Sequence, residues 1–77
     1  MSSLGEAPQA PIHVIANGRA VVVTPPATLF SFLQQLGLPP RSVVVELNGE
    51  AVAPSEFETR ELAAADRLEI VQITAGG

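Results

Sequence analysis

The chain contains no cysteine and a single histidine, His13. Without cysteine the protein has no disulfide, no thiolate metal ligand and no cysteine nucleophile. One histidine excludes a two-histidine metal site and argues against a Ser-His-Asp triad. Lysine is also missing, since all four basic residues are arginine, so no side-chain amine can carry an isopeptide bond to this protein. The side chains therefore offer few candidates for catalysis.

Long apolar runs and an excess of positive charge are missing as well. No stretch approaches the roughly 20 apolar residues of a membrane span, and the N-terminus lacks the basic and apolar segments of a secretory signal. The formal net charge of −4 argues against nucleic acid or an anionic membrane as a partner. We therefore expect a cytoplasmic protein, with an acidic surface that either meets a basic partner or merely keeps the protein soluble.

The length of 77 residues and the hydrophobic content of 47% predict one small domain with a modest core. Residues 1–11 are small, polar and interrupted by proline, so we expect a disordered N-terminal leader. The folded domain is expected over residues 12–73. Residues 74–77 are expected to form a flexible C-terminal tail.

Two Asn-Gly pairs, Asn17-Gly18 and Asn48-Gly49, each separate two apolar runs. Asn-Gly is the strongest short signal for a β-hairpin, because both central residues of a type I′ turn need a positive φ. Each pair therefore predicts a hairpin. The predicted strands are residues 12–16, 19–24, 42–47 and 50–53.

A short helix is predicted between the hairpins. Thr28 is a suitable N-cap, and Gly37 followed by Pro39-Pro40 ends the helix. Apolar residues at helical spacing form one stripe that we expect to pack on the sheet: Leu29, Phe32, Leu33 and Leu36. Phe30 flanks this stripe and is expected to cover the edge of the sheet. Residues 55–57 are expected to form a single helical turn that brings Phe57 into the core.

Residues 66–74 are rich in β-branched side chains and predict a last strand. One helix across a mixed sheet of four or five strands is the α+β architecture called β-grasp. The last strand is expected in the middle of the sheet, parallel to the first, with Leu68 and Ile70 in the core. Val71 and Ile73 then point to the opposite face as a candidate docking surface. The alternative is a β-bulge that turns Val71 and Ile73 inward.

The tail Thr74-Ala75-Gly76-Gly77 places a carboxylate at the end of a thin segment. Four extended residues reach about 13 Å. The two glycines, lacking Cβ atoms, can pass through a channel that is too narrow for other residues. We interpret the tail as a group that is delivered into a partner's active site. The alternative is that the terminal glycines are only frayed.

No set of side chains supports catalysis by the chain itself. Glu56, Glu58 and Glu61 cluster without a histidine or phosphate-binding loop, so we interpret them as a solvated face, and His13 as a surface residue. An ionised carboxylate is inert as an electrophile. It must be activated, most simply as an acyl adenylate, and the ATP site then belongs to a partner. The chain is expected to be a substrate and not an enzyme.

Three internal segments and the diglycine resemble the ThiS family of sulfur carriers in thiamin thiazole synthesis. The resemblance covers essentially residues 12–77, and its segments are residues 47–52, 55–57, 66–71 and 76–77. Two positions depart from the family pattern. Ala53-Pro54 stands where the family often has Pro-Arg, and Ala64-Ala65-Asp66 stands where it often has Asp-Gly-Asp, at a turn that a glycine would favour.

The resemblance implies a ubiquitin-like β-grasp fold and a defined chemistry. A ubiquitin-activating-like adenylyltransferase would convert the Gly77 carboxylate to an acyl adenylate, and sulfur transfer would give a C-terminal thiocarboxylate for thiazole synthase. ATP and magnesium would bind to that partner, and no cofactor or metal to this chain. Gly76 and Gly77 would thread the channel, and Val71 and Ile73 would pack on both partners in turn. Thr74 and Ala75, which lie between them, belong to the same binding segment. A separate sulfur donor protein is compatible with this scheme, and the free protein is expected to be a monomer.

Four alternatives remain open from the sequence. The small subunit of molybdopterin synthase has the same fold and tail, but this chain lacks the Phe-Pro-Pro that commonly precedes the tail there. A carrier could also serve the synthesis of another sulfur-containing metabolite, because the carboxylate chemistry does not specify which molecule accepts the sulfur. A protein modifier would join Gly77 to target lysines. A β-grasp binding module would keep its function without Gly76-Gly77.

Overall fold

The structure is a computed structural model that describes residues 10–73. It contains one α-helix and one sheet of five strands in the order β2-β1-β5-β3-β4. β1 and β5 are parallel, and the other neighbours are antiparallel. The predicted α+β, β-grasp architecture is confirmed, with β5 in the middle. The elements are β1 (Ile12–Ala16), β2 (Arg19–Val23), α1 (Leu29–Leu36), β3 (Val43–Leu47), β4 (Glu50–Val52) and β5 (Arg67–Gln72).

Both predicted hairpins are present with the expected backbone. Asn17 and Asn48 have φ values of 52° and 51°, and the glycine that follows each of them also has a positive φ. The last strand was predicted over residues 66–74, of which Thr74 lies outside the described residues, and β5 spans Arg67–Gln72. Three other strands are one residue shorter than predicted: β2 ends at Val23 ahead of Thr24-Pro25-Pro26, Ser42 belongs to a short 3₁₀ turn that contains proline, and Ala53 precedes another. A proline has no backbone N–H for the ladder and so shortens a strand.

Local signals define both ends of α1. The Ser31 N–H donates to the Thr28 hydroxyl at 3.1 Å, and the Thr28 N–H donates to the Ser31 hydroxyl at 3.0 Å, a reciprocal capping box. Gly37 has a φ of 76°, which ends the helix in the left-handed conformation. Leu29, Phe32 and Leu33 are buried, but Leu36 is 39% exposed. The prediction for Leu36 is wrong because this last residue of α1 lies over an open cleft of about 450 Å³.

The segment after β4 seals one end of the core against the start of α1. A 3₁₀ turn over Pro54–Glu56 lies one residue earlier than the helical turn predicted over residues 55–57, and it brings Phe57 to 1% exposure, as predicted. The Phe30 N–H donates to the Phe57 carbonyl at 2.9 Å, and the Leu62 N–H donates to the Ala27 carbonyl at 2.9 Å. Phe30 itself is half-buried against the core, as expected of a residue flanking the stripe.

The predicted leader, except for its last two residues, and the predicted tail lie outside the described residues. β1 begins at Ile12, where the folded domain was expected to begin. Over residues 10–73, no helix has the length and apolar character needed to cross a membrane.

Candidate functional site

The C-terminal strand β5 is the element that positions the candidate site. β3 flanks it from Leu68 to Gln72, and β1 flanks only its first two residues. Leu68 and Ile70 point into the core at 1% and 8% exposure. Because side chains alternate along a strand, Val71 points to the face away from the helix. The strand therefore presents a core side and an open side, as predicted.

Three exposed apolar side chains lie together on the open face, where β5 ends. We call them the apolar patch: Val44, Val71 and Ile73, with exposures of 50%, 60% and 51%. Val44 and Val71 are register partners, and the Ile73 N–H donates to the Ser42 carbonyl at 2.7 Å. This hydrogen bond continues the regular ladder one residue past β5. The alternative of a β-bulge that buries Val71 and Ile73 is therefore wrong.

Val44 belongs to the patch although the sequence-based prediction did not include it. β3 alternates strictly, with Val43, Val45 and Leu47 buried and Val44 exposed. An alternating pattern was available in the sequence, but three consecutive valines conceal which of them faces solvent. The pairing with Val71 could not be predicted, because it depends on the register between two strands that are far apart in the chain.

The border of the patch is acidic. Glu46 and Glu69 are exposed register partners on the same open face, two residues along each strand from Val44 and Val71. Like charges directly opposite each other repel, so this arrangement is not explained by sheet stability. An apolar centre beside two carboxylates is complementary to a partner surface with an apolar centre and a basic rim.

A further exposed apolar residue, Val22, lies on the open face but away from the patch. Val22 is 51% exposed and is the register partner of His13, which is exposed as predicted. In the parallel pair of β1 and β5, Ile15 lies opposite Arg67, the first residue of β5. His13 is two residues before Ile15, so along the strand direction it lies before the start of β5. Along the strand direction, Val22 on β2 therefore lies on the side where β5 starts, and the patch lies on the side where β5 ends.

The carboxylate cluster has the character of a solvated face. Glu56, Glu58 and Glu61 are all exposed. Arg60 lies within 3.6 Å of Glu56 and 3.8 Å of Glu50, which are long ion pairs at the surface. In the described part of the chain, no three acidic or histidine side chains are arranged to hold a metal ion. The interpretation of the cluster as a solvated face is confirmed.

The described chain stops at Ile73, within the patch itself. The predicted tail residues Thr74, Ala75, Gly76 and Gly77 lie outside the described residues, so their role stays a prediction. The same holds for the docking role of Val71 and Ile73, whose exposure alone is established.

Comparison with known proteins gives a consistent result. A family model described as the ThiS family matches residues 10–77. A crystal structure of the thiamine biosynthesis protein ThiS from Geobacter metallireducens is similar, with a TM-score of 0.69 and 24% identity, over 86% of this chain and 100% of that one. A solution structure of a thiamine biosynthesis protein from the same organism has a TM-score of 0.69 and 25% identity, over 86% and 88%. No curated protein matches the chain.

The family match covers the whole described sheet, the helix and the last four residues. The five-stranded mixed sheet, its single main helix and the likeness to solved structures agree with that match. The chain belongs to the ThiS family of small sulfur carrier proteins, which are carriers and not catalysts.

Proposed function

We propose that this protein carries sulfur for thiamin biosynthesis as a thiocarboxylate on Gly77. The observation that carries the proposal is that the ThiS family match extends through the terminal Gly76-Gly77. The solution structure of a thiamine biosynthesis protein, at 25% identity, supports the same pathway.

The proposed chemistry begins with activation of the carboxylate. A carboxylate oxygen of Gly77 attacks the α-phosphorus of ATP, which releases pyrophosphate and forms an acyl adenylate. Sulfide then attacks the acyl carbon and releases its proton, and AMP leaves with one oxygen of the original carboxylate, so that this oxygen is replaced by sulfur. ATP and magnesium bind to the activating enzyme, a ubiquitin-activating-like adenylyltransferase. The resulting thiocarboxylate donates its sulfur to thiazole formation on thiazole synthase.

The apolar patch supplies the recognition in this proposal. Gly77 is four residues after the patch residue Ile73 in the sequence, and four extended residues reach about 13 Å. A partner that covers the patch therefore needs its reactive centre within about that distance. The adenylyltransferase and thiazole synthase would use the patch in turn, because both must receive the same carboxyl carbon.

The test is intact-protein mass spectrometry after incubation with a candidate activating enzyme, MgATP and a sulfide source. We expect a mass gain equal to the replacement of one oxygen by sulfur, together with release of AMP. A matched variant that lacks Gly77 keeps all of residues 10–73 and should show neither. A second reaction, with thiazole synthase and the substrates that accept the sulfur, should replace the sulfur by oxygen and return the protein to its original mass.

The absence of both adenylate and thiocarboxylate with a competent activating enzyme would contradict the proposal. Thiocarboxylate formation without loss of the sulfur in the reaction that contains thiazole synthase and its acceptor substrates would retain the carrier chemistry and contradict the assignment to thiamin. Covalent attachment of Gly77 to lysines of other proteins would instead favour a protein modifier.

A further inference from the structure

β5 loses its strand neighbour on one side before it ends. The parallel pairing with β1 consists of Ile15 opposite Arg67 and Ala16 opposite Leu68. After Ala16 the chain turns away through Asn17-Gly18, so no residue of β1 lies beside Ile70. The part of β5 that leads to the patch is therefore flanked by a strand only on the β3 side.

The side chain of Asn17 occupies the place that a neighbouring strand would take. Its Oδ1 accepts the Ile70 N–H at 2.7 Å, and its Nδ2 donates to the Ile70 carbonyl at 3.0 Å. The Asn17 backbone N–H also donates to the Leu68 carbonyl at 2.8 Å. A primary amide offers the same acceptor and donor as a peptide group. Asn17 thus prolongs the pairing of β5 by two residues beyond the point where β1 leaves it.

These hydrogen bonds lie next to the patch. Ile70 directly precedes Val71, and on the other side of β5 the Ile73 N–H is held by Ser42. Hydrogen bonds to the main chain of β5, from the Asn17 side chain on one side and from the Ser42 carbonyl on the other, oppose a rotation of the final residues about the strand axis. A rotation there would redirect both the side chain of Val71 and the segment that follows Ile73.

We propose that Asn17 is a positioning residue, which fixes the direction in which the C-terminal segment leaves the sheet relative to the apolar patch. The functional part of this inference rests on the sulfur-carrier function proposed above. A partner that holds the patch then receives the carboxylate of Gly77 along one path instead of many. This placement should act on the reactive step, because a misplacement of about 1 Å can cost a hundredfold in rate.

The chain provides a matched comparison in Asn48. Asn48 is also the first residue of an Asn-Gly hairpin turn, with a φ of 51° against 52° for Asn17. Its backbone N–H donates to the Arg67 carbonyl at 2.7 Å, and its Oδ1 accepts the Arg67 N–H at 2.9 Å. The two asparagines thus make similar bonds to β5, but Asn48 binds its first residue, away from the patch.

The experiment compares Asn17→Gly with Asn48→Gly. Glycine adopts a positive φ without strain, so each change removes the amide group and leaves the turn conformation available. Hydrogen exchange and backbone NMR relaxation are measured on the free protein. We expect Asn17→Gly to accelerate exchange at Ile70 and to lower the order of residues 71–73. Asn48→Gly should leave these residues unchanged.

Kinetics with the activating enzyme form the second readout. At an equal concentration of folded protein, we expect Asn17→Gly to lower kcat for thiocarboxylate formation about tenfold, with KM changed less than about threefold. Asn48→Gly should keep both constants within about twofold of the parent protein. A fall in kcat with a nearly unchanged KM indicates misplacement of the tail, whereas a rise in KM would indicate a general loss of binding.

Equal effects of the two variants on kcat would overturn the proposal, as would unchanged order at residues 71–73 in Asn17→Gly. If Asn17→Gly does not fold, Asn17→Asp decides in its place. The aspartate keeps an acceptor for the Ile70 N–H and removes the donor to the Ile70 carbonyl, and it should show the same changes more weakly. Failure of the parent protein to accept sulfur would contradict the proposed function, while the NMR comparison would still decide the role of Asn17 in the free chain.

Discussion

Val44 of β3 lies directly opposite Val71 of β5, and the two side chains are 50% and 60% exposed. In an antiparallel pair the Cβ atoms of opposite residues are about 4.5–5.5 Å apart, so the two valines form one apolar surface. Ile73 extends that surface toward the C-terminus of the chain. Burial of these side chains by a partner would contribute both affinity and orientation next to the segment that carries the proposed thiocarboxylate.

The first prediction concerns Val71→Asp. We expect this change to weaken binding of the activating enzyme about thirtyfold, which corresponds to roughly 2 kcal/mol at the centre of an interface. The dissociation constant can be measured by calorimetry. The control is Val22→Asp, which places the same charge on the same face of the sheet, at a residue of similar exposure but far from the patch.

Val22→Asp should bind as tightly as the parent protein, and both variants should retain the thermal transition of a folded domain. Equal losses of affinity in the two variants would mean that the whole open face, and not the apolar patch, contacts the partner. Unchanged affinity in Val71→Asp would remove the patch from the interface.

The second prediction concerns the core. Phe57 is 1% exposed beneath the start of α1, so Phe57→Ala should lower the free energy of unfolding by about 3–5 kcal/mol. Urea denaturation followed by circular dichroism measures this change. Phe30→Ala removes the same atoms from a half-buried position and should cost clearly less. A smaller loss for Phe57 than for Phe30 would contradict the described packing.

The third prediction is a stabilising change at Ala65. Ala65 has a φ of 70°, a conformation that costs a residue with a Cβ about 1–2 kcal/mol. Glycine removes this strain but adds about 0.5–1 kcal/mol of unfolded-state entropy. Ala65→Gly should therefore raise the free energy of unfolding by about 0.5–1 kcal/mol.

The matched control is Ala64→Gly, because Ala64 is its exposed neighbour and has no positive φ. That change should lower stability by about 0.4–1 kcal/mol through the unfolded state alone. Urea denaturation of the two variants should therefore give changes of opposite sign. A loss of stability in both would contradict the left-handed conformation of Ala65.

The fourth prediction concerns the start of α1. Thr28→Ala removes the hydroxyl that accepts the Ser31 N–H and should cost about 1 kcal/mol of unfolding free energy. Thr28→Ser keeps an oxygen in that position and should recover most of the loss. Thermal unfolding of the three proteins checks the order. An equal loss in the alanine and serine variants would mean that the methyl group, and not the hydroxyl, matters at this cap.

Local features of the fold were predictable because they depend on neighbours within a few residues. The Asn-Gly pairs required positive φ values, and Thr28 and Gly37 marked the ends of α1. The alternation along residues 66–74 placed Val71 and Ile73 on the open face. The unusual turn at Ala65 was also visible as a departure from the family pattern, though its φ was not.

The tertiary structure decided the features that join distant parts of the chain. Register between β3 and β5 brought Val44 opposite Val71, and the position of α1 on the sheet left Leu36 over a cleft. The Asn17 side chain reaches Ile70, which is 53 residues away, because β1 turns off just where β5 continues. Sequence patterns determine the conformation of a segment and its apolar face. Which segments become neighbours, and in what register, depends on how the whole core packs, and only that packing brings Asn17 beside the strand that leads to Gly77.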